Sequence, residues 1–353
     1  MAYRLGADVG GTFTDLLLIR EADGAVYTAK IPSTPDDPSR AVLSGIEKIC
    51  RESNVEPRAI THVMHGTTVA TNAVLTGSGA KVGFITTKGY RQMLHIGRSF
   101  VPGGLGGWVV YQKQPPLAPL KWTLEADERI GARGEIVKVL DEQTLRKKLV
   151  VLRDAEVEAI TVCLINAYTN GAHERRIEEI LTEELPGIPV SISSEVIPEM
   201  QEYERAITTV VNSYVRPIVG RYIDNLQREL DQSVSGVKLS ILKSDGGLAG
   251  SRAAADYPVS LLMSGPAGGV SGAVWVAQQA GYANIMTFDM GGTSTDVALI
   301  EGGAAQLRRE TMVGNVSVRA SSLDVRTVGA GGGSIAHVPE LTGALRVGPQ
   351  SAG

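Results

Sequence analysis

Asp8-Val9-Gly10-Gly11-Thr12-Phe13-Thr14-Asp15 recurs 281 positions later as Asp289-Met290-Gly291-Gly292-Thr293-Ser294-Thr295-Asp296. Six of the eight positions are identical: Asp, Gly, Gly, Thr, Thr and Asp. An apolar run precedes each copy, and another follows it at residues 16–19 and 297–300. Strand, Gly-Gly turn and strand together read as a tight hairpin. The spacing is far too long for a solenoid, whose period is roughly 20–50 residues. It predicts two related domains, each opening with the same hairpin.

Two glycines at such a turn allow positive φ and remove the Cβ atoms that would block close approach. Consecutive N–H groups then converge on an anion. The expected phosphate-holding residues are Gly10, Gly11, Gly291 and Gly292. Thr12, Thr14, Thr293 and Thr295 add hydroxyl donors. Asp8 and Asp289 end their strands and are placed to hold Mg²⁺ through water, because that ion keeps most of its hydration and needs few carboxylates. Two facing hairpins would grip a nucleoside triphosphate from both sides. Asp15 and Asp296 are read as fixing the hairpins through backbone hydrogen bonds. A single copy reads equally well as an ordinary turn; the matched second copy favours the phosphate reading.

Three other segments stand out. Gly329, Gly331, Gly332 and Gly333 form a cluster without the strand-turn-helix setting and following acid of a dinucleotide fingerprint. A glycine-lined face for adenine or ribose fits better, with a plain loop as the alternative. Residues 264–273 are dense in small side chains, which suits a tight helix contact or hinge. His65-Gly66-Thr67-Thr68 follows a short strand and opens a helix. Such an N-terminus suits an anion or a carbonyl, so His65, Thr67 and Thr68 are candidate substrate contacts; a helix cap at Thr67 explains the threonines equally well. Lys88 and Arg91 face either the same cleft or solvent. His62 and His65 point to opposite faces of a strand and make a poor metal pair.

Glycine supplies 41 of 353 residues, about 12% against a usual share near 7%. There is no G-x-y period, which excludes collagen, and 43% hydrophobic residues exclude disorder. A net charge of −4 without like-charge blocks leaves no electrostatic footprint for nucleic acid or an anionic membrane. Cys50 and Cys163 suit a reduced cytoplasmic protein without disulfides. No uncharged apolar run reaches the 18 residues of a membrane span. The first hundred residues read βββαβαβα, residues 100–123 as a loop, and 199–230 as a long helix kinked or split at Pro217.

The hairpins, the small-residue helix and the glycine segment resemble the actin/hexokinase/Hsp70 ATPase superfamily, whose ribonuclease H-like unit has the same opening strand order. More closely, the chain resembles the hydantoinase A/5-oxoprolinase family. The matching stretches are Gly6 to Asp15, His65 to Ala73, Ile85 to Tyr90, Glu202-Tyr203-Glu204-Arg205, Ser244-Asp245-Gly246-Gly247, Ser264 to Gly269, Phe288 to Val297 and Thr327 to Ala336. Gly171 stands where the family usually has proline.

The resemblance implies an α/β fold of duplicated ribonuclease H-like, actin-like ATPase domains with mixed sheets. The expected divisions are 1–100 for the first domain, 101–200 for its continuation, 201–282 for a connecting helical segment and 283–353 for the start of the second. The A-type family chain is roughly twice this length, so the second domain is expected to be incomplete. The implied activity is ATP-dependent opening of a cyclic amide such as 5-oxoproline or a hydantoin, with ATP and Mg²⁺, a B-type partner and an oligomeric assembly. An acetone- or acetophenone-type carboxylase subunit is the nearest alternative. A small-molecule kinase would leave a stable phosphorylated product, and a non-enzymatic ATP switch would need no small substrate.

Overall fold

The computed structural model describes residues 2–10, 13–34, 38–98, 114–234, 236–292, 294–340 and 343–352. Its architecture is mixed α/β, with several sheets flanked by helices. β1 (Tyr3–Val9) and β2 (Phe13–Arg20) alternate buried and exposed residues. Their register sets Asp8 opposite Asp15 and Val9 opposite Thr14. Residues directly opposed share a face. The two aspartates therefore project from one side, and Leu5, Ala7, Val9, Thr14, Leu16 and Leu18 from the other.

β3 (Val26–Pro32) continues the meander, and α1 (Pro38–Ser53) packs on its buried face through Val42, Ile46 and Ile49. Gly45 makes that contact close: a methyl there would lie 2.3 Å from Leu16 Cδ1. β4 (Ile60–Thr67) then returns parallel to β1, and α2 (Val69–Thr76) follows it.

β5 (Val82–Thr87) leaves this sheet. It joins β6 (Thr123–Ala126), β7 (Ala159–Cys163) and β8 (Val190–Ile192) in a parallel sheet of order β8-β7-β5-β6. Every residue of β5 and β7 is buried, as expected where both faces of a parallel sheet are covered. Of the helix expected after β5, only Met93–Ile96 forms. Gly89 at φ +93° turns the chain first.

α3 (Ala172–Glu184) lies on the parallel sheet, and α4 (Glu202–Ser233) runs between that sheet and α1 and α2. Pro217 was expected to kink or split this helix; it does not split it, and the helix continues through. A mid-helix proline costs about 3 kcal/mol. Each fully buried aliphatic side chain returns about 1.5–3 kcal/mol, and α4 buries Val210, Val211, Val215, Val219, Ile223 and Leu226 among others. Packing wins over propensity.

β9 (Lys238–Leu242) pairs parallel to β4, and β10 (Leu248–Gly250) pairs with β9. The main sheet is thus ordered β10-β9-β4-β1-β2-β3, its last strands coming from far along the chain. α5 (Ser264–Gln279) leads into β11 (Ile285–Met290) and β12 (Thr295–Glu301), which pair as the second hairpin. β13 (Ala304–Ala305) and β14 (Val325–Val328) both pair with β12. No described helix is long and apolar enough to cross a membrane.

Two helical glycines give opposite expectations. Gly45→Val should destabilise the fold by roughly 1–3 kcal/mol through overpacking against Leu16. Gly220→Ala, in α4 with nothing within 4 Å of the added methyl, should stabilise it by about 0.5–1 kcal/mol. Urea unfolding of both variants checks the pair.

Candidate functional site

The second hairpin reproduces the first. Asp289 stands opposite Asp296, and Met290 opposite Thr295. Gly10 N–H donates to Phe13 O at 3.0 Å, and Gly291 N–H to Ser294 O at 2.9 Å. Gly11, Thr12 and Thr293 lie outside the described residues. Neither Gly10 nor Gly291 adopts the positive φ expected of them.

The small-residue helix α5 brings the two hairpins together, as its composition suggested. Ser264 Oγ donates to Thr67 O at 3.0 Å, and Met263 N–H to Thr71 Oγ1 at 3.1 Å. A methyl added at Gly265 would sit 3.7 Å from Thr68 Cγ2, and one at Gly268 only 2.8 Å from Leu242 Cδ2. One turn on, a methyl at Gly269 would lie 3.9 Å from Asp289 Oδ2. On the other wall, a methyl at Gly66 would meet Asp8 Oδ1 at 2.9 Å. Asp8, Gly66, Thr68, the first turns of α5 and Asp289 therefore line one cleft at the carboxyl ends of β1, β4 and β11.

Asp8 is open at the mouth of this cleft. Even so, surrounding protein displaces water from its carboxyl, and the charges of Asp15 and then Asp289 repel it; together they raise its pKa above the ordinary value. A carboxyl whose charge is disfavoured in this way, with a second aspartate nearby, suits a divalent cation. Among the described residues, no group of three or more His, Cys, Asp or Glu could hold a metal. An ion here would rest on two carboxylates and water, which is within the habit of Mg²⁺.

Several expected contacts are absent because the side chains face elsewhere. Thr14 is fully buried on the face opposite Asp8, and its hydroxyl donates at 3.0 Å to Ser33 Oγ, which itself donates to Gly10 O. Thr295 is its counterpart and donates to Ala330 O at 2.7 Å. Both threonines secure loops and do not reach the cleft. Asp15 pairs with Lys30 of β3 at 3.0 Å. Asp296 accepts from Thr327 Oγ1 at 2.5 Å. These acids fasten the next strand through side chains, not the hairpin through its backbone.

His65 is buried completely. Its Nδ1–H donates to Ala7 O at 3.2 Å, and Nε2 accepts from the Tyr222 hydroxyl at 2.6 Å. It is a core histidine and not a substrate contact. Thr67 is also buried, and its hydroxyl accepts from Val69 N–H at 3.3 Å. The N-cap of α2 is Thr68, without a side-chain cap. Lys88 pairs with Asp127, and Arg91 donates to Leu120 O and Thr123 O; both lie in the turns that follow β5.

The glycine segment lies on the second hairpin. Gly332 N–H donates to Gly291 O at 2.9 Å and Gly333 N–H to Gly292 O at 2.7 Å. A methyl on Gly331 would be 2.6 Å from Gly291 O. Here glycine permits backbone to lie directly on backbone.

The hydantoinase/oxoprolinase N-terminal region matches residues 4–185, and the hydantoinase/oxoprolinase model matches 205–353. The chain belongs to the hydantoinase/oxoprolinase family. Among relatives, caprolactamase subunit alpha of Pseudomonas jessenii is 34% identical over 355 residues, covering 99% of this chain and 51% of that protein. The crystal structure of ATP-dependent caprolactamase from Pseudomonas jessenii superposes with a TM-score of 0.85 at 32% identity, over 99% of this chain and 51% of that one. A nucleotide-free acetone carboxylase structure gives 0.86 at 28% identity, with the same coverage. The chain thus spans about half the length of these relatives.

The family stretch Glu202-Tyr203-Glu204-Arg205 has a structural reading that sequence alone did not supply. Arg205 is fully buried and donates to Ser193 Oγ, Glu199 O and Leu164 O at 2.7–3.1 Å. Ser193 in turn donates to the buried carboxylate of Glu174 at 2.6 Å. Arg205 thereby ties the end of β7 and the entry to α4 into one network.

Burial pushes the His65 pKa down to about 4. The unfolded histidine titrates near 6.5. Between those values only the unfolded chain takes up the proton. Native stability should therefore fall by about 3 kcal/mol as pH drops from about 6.5 to 4. Urea unfolding across this range should show the slope in the native protein and a flatter one in His65→Asn.

Proposed function

We propose that this chain is the ATP-binding part of an enzyme that opens a cyclic amide. The observation that carries the reading is the duplicated hairpin pair, whose leading aspartates lie on one cleft beside a helix whose first turns carry only Ser, Gly, Pro and Ala.

An amide carbonyl resists water because nitrogen donates into it. Transfer of the γ-phosphoryl group to the carbonyl oxygen forms a P–O bond there and breaks the bond to the β-phosphate oxygen, releasing ADP. The ring carbon is then electrophilic enough for water. Phosphoryl transfer asks the protein for alignment and charge neutralisation more than for covalent chemistry. In this reading the backbones at Gly10, Gly11, Thr12, Gly291, Gly292 and Thr293 hold the phosphates, while Gly329, Gly331, Gly332 and Gly333 flank the nucleoside. Asp8 and Asp289 would hold Mg²⁺ through water. When bound, that ion neutralises charge building up on the phosphates. Gly66 keeps the Asp8 carboxylate free to turn toward the cleft.

A B-type partner, in a cytoplasmic oligomer, would complete the hydrolysis. The equal structural likeness to acetone carboxylase favours a second reading, in which the activated oxygen belongs to a ketone or to bicarbonate and a new C–C bond follows.

Asp8→Asn and Asp289→Asn should each reduce ATP turnover by about 100-fold or more, with circular dichroism unchanged; native rates in either folded variant would contradict the assignment. Phosphate release stimulated by 5-oxoproline, a hydantoin or caprolactam supports amide opening. Stimulation only by a ketone with bicarbonate supports carboxylation.

A further inference from the structure

A cavity of about 340 Å³ is lined by Met263, Arg308, Glu310, Met312, Val325 and Thr327 among others. Small-molecule sites run from roughly 300 to 1,000 Å³. Its walls come from both sides of the cleft. Met312 belongs to a hairpin of Thr311–Val313 and Val316–Val318 that packs on α2 and α4, with Val313 and Val318 buried in the large core of the first hairpin. Val325 and Thr327 belong to β14, in the sheet of the second hairpin. Met263 stands at the entry to α5, one residue before the bond from Ser264 to Thr67. Its φ of +64° is a left-handed conformation uncommon for such a side chain, and backbone strain of this kind gathers at ligand sites.

The cavity is placed for chemistry at the cleft. Thr327 opposes Asp296, and Asp296 opposes Asp289, so the three share one face of the sheet. With strands about 4.8 Å apart, Thr327 lies about 10 Å from Asp289. That leaves room between them for a water-held Mg²⁺ and a phosphoryl group. The ionised groups of the wall pair off: Arg308 Nε with Asp324 Oδ1 at 2.5 Å, and Glu310 Oε1 with Arg319 Nε at 2.9 Å. Arg326 also reaches the lining, but it opposes Val297 and so projects from the other face of β14.

We propose that this cavity binds the substrate, and that it takes an uncharged cyclic amide, such as a lactam or hydantoin, over one that carries a carboxylate. The proposal rests on the cyclic-amide reading above and gives the ring a place that the buried His65 and Thr67 do not offer. Met263, Met312 and Val325 suit its ring carbons, and the Arg308 guanidinium can donate to a carbonyl oxygen. A carboxylate entering here would lose its water without meeting an uncompensated cation.

The test is calorimetric titration of the full chain, loaded with Mg²⁺ and a non-hydrolysable ATP analogue, with caprolactam, hydantoin and 5-oxoproline. The better of the two uncharged rings should bind about tenfold more tightly than 5-oxoproline, or more. Met312→Trp, which fills the cavity, should weaken that ligand about tenfold or more, and Met312→Leu should bind it as the native chain does, both with native circular dichroism. Asp324→Asn strips Arg308 of its counter-charge and should raise the affinity for 5-oxoproline several-fold. Tighter native binding of 5-oxoproline, or undiminished binding of the uncharged ring by Met312→Trp, would overturn this proposal and leave the cyclic-amide reading standing. Binding of none of the three would overturn both.

Discussion

Two carboxylates that repel one another, Asp8 and Asp289, sit at the ends of two strands and look onto the same cleft. Their placement follows from hairpin register alone: each opposes a second aspartate, so each must lie on the face its partner shares. Burial first, then Asp15 and last Asp289 disfavour the charge of Asp8 and raise its pKa. Gly66 stands where a side chain would strike Asp8, and α5 approaches both walls through Gly265, Gly268 and Gly269. A site that holds like charges together before any ligand arrives is prepared for a cation and a polyanion.

The two walls are built unequally. The first belongs to the large core shared by β1, β2, α1, α2 and α4. The second rests on a small cluster centred on Val270, Ala298 and Ile300. The glycine segment stiffens it by backbone bonds to Gly291 and Gly292. Few buried apolar contacts mean a lower cost of local opening. The second hairpin is therefore the wall expected to open at the lower cost.

Much of this was legible in the sequence because it is local. The repeated octet gave the hairpins and both leading aspartates, and the run of small residues gave the close approach of α5. What was missed depends on partners far along the chain. Tyr222 lies 157 residues from His65, and nothing near His65 signals that its ring is enclosed. The exchange of β5 for β9 in the main sheet is likewise a long-range choice. Thr14 and Thr295 are a different case: each stands next to its hairpin's second aspartate and opposes Val9 or Met290, on the wrong face for the cleft. Pro217 shows a local rule overridden by the burial of an entire helix.

The central claim is that both hairpins serve one ligand. Hydrogen–deuterium exchange with Mg²⁺ and a non-hydrolysable ATP analogue tests it directly. The account predicts simultaneous protection of the peptides carrying Gly10 and Gly291, lost at both in Asp8→Asn. Protection of one hairpin alone, or of neither while the analogue is bound, would contradict it.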